Sequence, residues 1–188
     1  MAYFWSYRAF VLLAAGDVDA YRQTCASMVK RFEKTENLET ATDVLRACVL
    51  RDDALPDTAP LLALARVAAP DWHPGTYLRG AALYRASQYE ESVRSFEAAA
   101  KAFRPRPWDW AFLAMGHSRL GHADEARRCL AAAVSWMEEA NQQELDELTG
   151  TRPAWGDWHE RVVYPLLVRE AEALLRKAGQ TASDATGR

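Results

Sequence analysis

The chain has little of the residue chemistry that most enzymes rely on, with four histidines and three cysteines in 188 residues and neither type clustered. Cys25, Cys48 and Cys129 are odd in number and widely spaced, and no CxxC pair exists. A disulfide framework and a zinc ribbon are therefore excluded, and the thiols read as small buried residues of a reducing compartment. His117 and His122 are five residues apart, which on a helix rotates them by about 500° and off a common face, so no metal pair is expected of them. His73 and His159 fall near expected helix starts and read as surface or hydrogen-bonded groups. The sequence also lacks a phosphate-binding glycine loop, a GxSxG elbow and an HExxH pair. The expectation is a non-enzyme without cofactor or metal.

Other absences narrow the setting. No apolar run approaches the ~18 residues of a membrane span. A basic leader and a cleavage site are both missing from Met1-Ala2-Tyr3. Both point to a soluble, cytoplasmic protein with no membrane partner. Basic residues are not in excess either: 23 Lys and Arg stand against 26 Asp and Glu, a formal charge of −3 with the signs interspersed. A dedicated nucleic-acid binder would present a basic surface to phosphates, so nucleic acid is not an expected partner.

What the chain has in quantity is alanine and large aromatics. Apolar residues make up 49% of it, and seven are Trp. Small and very large side chains together suit helices that cross closely, and Trp5, Trp108, Trp110 and Trp136 read as gap fillers between them. The stretch from Gly75 to Val134 holds two copies of one helical hairpin: Ser87 aligns with Gly121, Phe96 with Leu130 and Ala99 with Ala133, each 34 residues apart (121 − 87, 130 − 96, 133 − 99). Small residues in each first helix (Gly80, Ala81, Ala82; Ala111, Ala114) let the second approach. The second helices repeat Tyr89, Val93, Phe96, Ala100 and Ala126, Leu130, Ala133, Met137 at three-to-four spacing, a buried stripe. Ser87-x-x-Glu90 reads as a capping box, and Gly121 suits a left-handed helix end.

Gly80, Tyr89, Phe96 and Ala99, with Trp110, Leu113, Gly121, Ala126, Leu130 and Ala133, resemble the small/large signature of the tetratricopeptide repeat, whose period is also 34 residues. Arg79, Ser87 and Ser92 depart from it, standing where the pattern prefers Leu, Gly and Ala. The phrases ALYRASQYEESV, DWAFLAMGHSRLGHADEARR and REAEALL also look like the C-terminal repeat segments of large eukaryotic-like bacterial Ser/Thr kinases, without any kinase motif. The resemblance implies an all-α, right-handed helical solenoid of about four antiparallel hairpins and a capping helix.

The rest of the chain divides on that plan. A degenerate first hairpin spans 2–33, with Gly16-Asp17 as its turn and Tyr21, Cys25, Met28, Val29 and Phe32 on one face. A second spans 38–69, lengthened by RDDALPD at 51–57, with Asp57 or Thr58 as cap and Pro60 in the first turn. The others span 75–104 and 108–140. Prolines 70, 74, 105, 107 and 153 mark boundaries. A polar linker leads from about Ala140 to Asp157-x-x-Glu160, read as a capping box for a terminal helix at 157–178 that kinks near Tyr164 ahead of Pro165. One domain over 1–178 results, with 179–188 as a disordered tail.

The resemblance further implies that first helices line a concave groove, here by Tyr77, Ala81, Tyr84 and Arg85 in one copy and Trp108, Ala111, Met115, Ser118 and Arg119 in the next. Arg85 and Arg119 suggest a carboxylate-bearing partner, an acidic peptide or a chain terminus. The expected function is a non-catalytic protein-interaction or scaffolding module. The alternative is a self-associating structural module, or a part of a larger signalling protein, in which Tyr3, Phe4, Trp5, Tyr7 and Phe10 pack on a second copy or another repeat.

Overall fold

The computed structural model describes residues 1–68, 73–146 and 158–186. Among these the regular structure is all helical: α1 (Ala2–Ala14), α2 (Val18–Phe32), α3 (Leu38–Cys48), α4 (Ala59–Val67), α5 (His73–Arg85), α6 (Tyr89–Ala102), α7 (Pro107–Arg119), α8 (Ala123–Asp146) and α9 (Glu160–Thr186). Where the sequence suggests one stack over 1–178, these helices gather into two compact units, Met1–Arg104 and Pro105–Arg188. The division falls in Arg104-Pro105-Arg106-Pro107. Two prolines there remove two backbone donors, and Arg106 is extended at φ −111°, ψ 168°.

In the first unit α1 packs on α2 and α3, α3 on α4 and α5, and α5 on α4 and α6. Odd-numbered helices are thus neighbours, each with an even-numbered one beside it. The starts are capped where the sequence offers an acceptor: Asp17 Oδ1 takes the Ala20 N–H at 3.0 Å, and Asn37 Oδ1 takes that of Thr40 at 2.9 Å. Phe10, Tyr21, Met28, Leu45, Leu61, Leu64, Leu78 and Phe96 are sealed in the core. Each such side chain contributes about 1.5–3 kcal/mol by leaving water. The Tyr21 hydroxyl donates to the Ala47 carbonyl at 2.8 Å and joins α2 to α3. In the long turn after α3, Asp53 accepts from Arg51 and from Arg22, which hold its carboxyl well below the usual range. This is the segment in which the sequence places an insertion.

In the second unit α7 packs on α8 and α9, and α8 on α9. Three tight turns share one geometry across both units. Gly16, Ser87 and Gly121 have φ of 75°, 60° and 78°. The next residue in each case, Asp17, Gln88 or His122, donates its N–H to the carbonyl five residues back, Leu12, Leu83 or His117. This is the left-handed helix ending that glycine favours. Ser87 therefore does not cap α6. It occupies the glycine position of the turn, and Gln88 precedes the helix without a side-chain cap bond.

Other expectations shift along the chain. Ala99, not Ala100, is buried on α6. Asp57 does bond the Ala59 N–H at 2.9 Å, with Thr58 as the residue before α4. Helix α8 continues to Asp146, through the start of the expected linker, and α9 runs past Gly179 to Thr186, so the segment expected as a disordered tail is helical that far. Pro165 sits inside α9 without ending it. Prolines 70 and 153, Asp157 of the expected capping box and the linker at 147–157 lie outside the described residues.

Candidate functional site

The residues expected to line a groove mostly do not. Tyr77, Ala81, Tyr84, Arg85, Trp108, Ala111 and Met115 are all buried, with Ala81, Ala111 and Met115 fully so. Ser118 is half-buried and Arg119 exposed. The cause is visible in the two helices that carry them. From Gly80 to Arg85, and from Pro107 to His117 with only Trp110 half-exposed, burial runs around the whole helix. A helix apolar on every side is an interior helix, and GAALY and AFLAM leave no polar stripe for solvent. Arg85 is turned inward: its Nε donates to the Val49 carbonyl at the end of α3, at 2.8 Å. Arg85 and Arg119 are therefore not a repeated pair of exposed forks.

The free side of the first unit lies instead on α6. Arg79 is the one exposed residue of α5 between Tyr77 and Arg85. With Leu83 it faces Glu91, Arg94, Ala98 and Ala102 of α6 across an open trough of about 750 Å³. Spacings of three, four and seven residues put these side chains on one stripe of each helix. Small residues at 98 and 102 keep the trough open. A second hollow of about 330 Å³ adjoins it, brings in Arg66 of α4 and shares Arg79, Leu83 and Glu91. Three guanidinium groups thus stand against one carboxylate.

The second unit has its own groove of about 710 Å³ between α8 and α9, with Ala126, Leu130 and Leu175 on its walls. Ser118 reaches its edge. At the other end of α7, Arg106 donates to both oxygens of Glu160, at 3.0 and 2.8 Å, and to the Tyr164 hydroxyl at 3.1 Å. Its guanidinium also lies 5.2 Å from the Trp136 ring centre. Asp109 accepts the Arg106 backbone N–H at 2.7 Å, yet burial pushes its carboxyl up to about 7. Burial likewise raises the Tyr164 hydroxyl. These bonds hold α7 to α9 and have the character of structure.

His117 and His122 come together, contrary to the helical-rotation argument, with their Nδ1 atoms 3.3 Å apart. His122 is beyond the left-handed turn at Gly121, so a helical angle does not apply to it. Among the described residues no group of three His, Cys, Asp or Glu side chains is placed to hold a metal. His159 is buried rather than at the surface. Cys25 and Cys48 are buried and Cys129 half-buried, all three as free thiols. The hydrogen bond to Cys25 and burial raise the Cys48 thiol. No described helix is long and apolar enough to cross a membrane. No family model, curated protein or solved structure matches the chain.

The family geometry points to first helices, and so away from the trough. Arg79 was the available signal: a charged residue where the repeat signature wants Leu requires an open space beside it.

Proposed function

We propose that the chain is a non-catalytic protein-interaction module that receives a peptide or a protein segment in a groove between paired helices, on a plan related to the tetratricopeptide repeat. One observation carries the reading: the trough along α5 and α6 is preformed, with walls set by helices that are packed elsewhere. A rigid groove loses little conformational entropy when a segment docks in it. The three left-handed turns and the neighbouring odd-numbered helices support the repeat plan.

Panning a random peptide display library against the protein tests this. Enriched peptides are expected to bind wild type and to lose about tenfold or more in affinity when Ala98→Trp fills the trough, with the melting temperature unchanged. No enrichment, or equal binding to the filled variant, would remove the reading.

A second reading rests on α1. Tyr3, Phe4 and Val11 are 48, 75 and 54% exposed, and Tyr3 and Tyr7 stack at 4.3 Å between ring centres. An apolar stripe of that kind favours self-association. Light scattering over a concentration series decides it: a mass rising with concentration in wild type and constant in Phe4→Glu supports the dimer, and a constant wild-type mass excludes it.

A further inference from the structure

We infer that the occupant of the α5–α6 trough is an extended acidic peptide of about five or six residues, an inference that rests on the interaction reading above. Length follows from the walls. From Glu91 to Ala102 the α6 side rises through eleven steps, or about 16 Å of helix, and an extended chain covers this in five or six residues at about 3.3 Å each.

Charge decides the chemistry. Arg66, Arg79 and Arg94 are exposed and line the trough and its adjoining hollow. None of them has a hydrogen bond or ion pair with another described residue. Some arginines elsewhere pair, Arg22 and Arg51 with Asp53, Arg106 with Glu160, Arg127 with Asp124 and Arg128 with Glu125, while others such as Arg8 and Arg176 stand singly at the surface. What sets the trough and its adjoining hollow apart is that three such guanidinium groups line them together, against the single carboxylate of Glu91, on a chain whose formal charge is −3. Planar forks match carboxylates two bonds at a time, so aspartate and glutamate side chains are the fitting counterpart.

The floor adds a second requirement. Leu83 and Ala99 are nearly buried, at 8% exposure each, and with Ala98 and Ala102 add apolar surface to the lining. Glu91 repels an anion placed against it. The complementary segment thus joins acidic residues for Arg66, Arg79 and Arg94 to an apolar side chain for the alanine-lined part of the trough, with a neutral or basic residue opposite Glu91. Nothing in the trough requires a phosphate or a lipid headgroup.

The test uses a fluorescein-labelled heptapeptide with two acidic residues at each end around a central leucine-glutamine-leucine, read by anisotropy against the full chain. Saturable binding is expected, weakening as salt rises. Arg79→Glu with Arg94→Glu is expected to lower affinity by about tenfold or more, and Arg127→Glu with Arg128→Glu, the same charge change on α8, by about twofold or less. Replacing all three trough arginines by glutamine keeps the surface uncharged should the reversed pair fail to fold, and the same loss is expected. An all-amide version of the peptide should bind about tenfold more weakly. Equal affinity for the acidic and amide peptides would overturn the acidic assignment while leaving the interaction module standing. Undiminished binding to both trough variants, or no saturable binding by folded wild type at millimolar peptide, would overturn the inference as well. Binding that Ala98→Trp leaves intact in the panning experiment is the separate result that removes the module itself.

Discussion

Phe96 lies across the backbone of Gly80 so closely that a β-carbon there would meet its ring at 2.6 to 2.9 Å. The Ser92 hydroxyl donates to the Gly80 carbonyl at 2.8 Å from the same side. Here the small residue in the first helix and the departure from the repeat signature at Ser92 become one device, since a serine replaces a methyl contact with a hydrogen bond. Gly80→Ala is expected to destabilise the protein by about 1–3 kcal/mol in chemical denaturation, because a flat ring wedged between two helices has little room to move. Gly80→Ala with Phe96→Leu should recover part of that loss. Ser87 makes the opposite case. It holds φ 60° where its two counterparts are glycine. Ser87→Gly should raise stability by about 1 kcal/mol, with a higher melting temperature and no change in fold.

Arg106 precedes α7 and reaches Glu160 at the start of α9, so one side chain joins two helix beginnings 54 residues apart. The Arg106 side chain is 31% exposed, which tempers the pair, while the Glu160 side chain is only 9% exposed. Arg106→Met should cost about 1–3 kcal/mol, most of it from the carboxylate left behind. Hydrogen exchange should show α9 losing protection before α8. Element boundaries of this kind were largely legible in the sequence, because they rest on local chemistry. Gly16, Asp17 and Pro60 act on neighbours within a few residues, and the turn spacing of 34 residues follows from Ser87 and Gly121 alone. The faces were not legible. Arg85 finds the Val49 carbonyl 36 residues away, and His117 finds His122 only after the chain reverses at Gly121. Neither contact follows from helical periodicity. The inward course of α5 and α7 was legible in principle, since their apolar residues circle the helix, but the family pattern for first helices masked it.

Across the whole molecule two carboxyl groups, Asp109 and Asp53, respond to acid in opposite ways. Asp109 in the second unit has its carboxyl raised by burial to about 7, so its neutral form is the one the fold prefers. Its contribution is complete below the ordinary carboxylate value near 3.8 and is lost as pH rises through about 7. Between these limits stability should gain up to about 1.4 kcal/mol for each unit of acidification. Asp53 in the first unit is shifted the other way, held down chiefly by Arg51. Its contribution persists through that window and is lost only at lower pH. Melting curves at pH 8, 6 and 5, followed by the fluorescence of Trp108, Trp110 and Trp136, should therefore rise in wild type relative to Asp109→Asn. Asparagine keeps an acceptor for the Arg106 N–H, so a difference between the two that is flat with pH would contradict the assignment.

The burial of α5 on nearly every side separates two kinds of information along the chain. With α5 inside, α6 divides its own positions: Ser92, Val93, Phe96 and Ala99 hold the fold, and 91, 94, 95 and 98 line the open trough. Those four positions are accordingly free to be rewritten, and a combinatorial set randomised there should yield soluble, folded members with altered ligand preference. Such a hairpin is a scaffold for engineered recognition, with specificity exchanged at α6 positions that the core does not use.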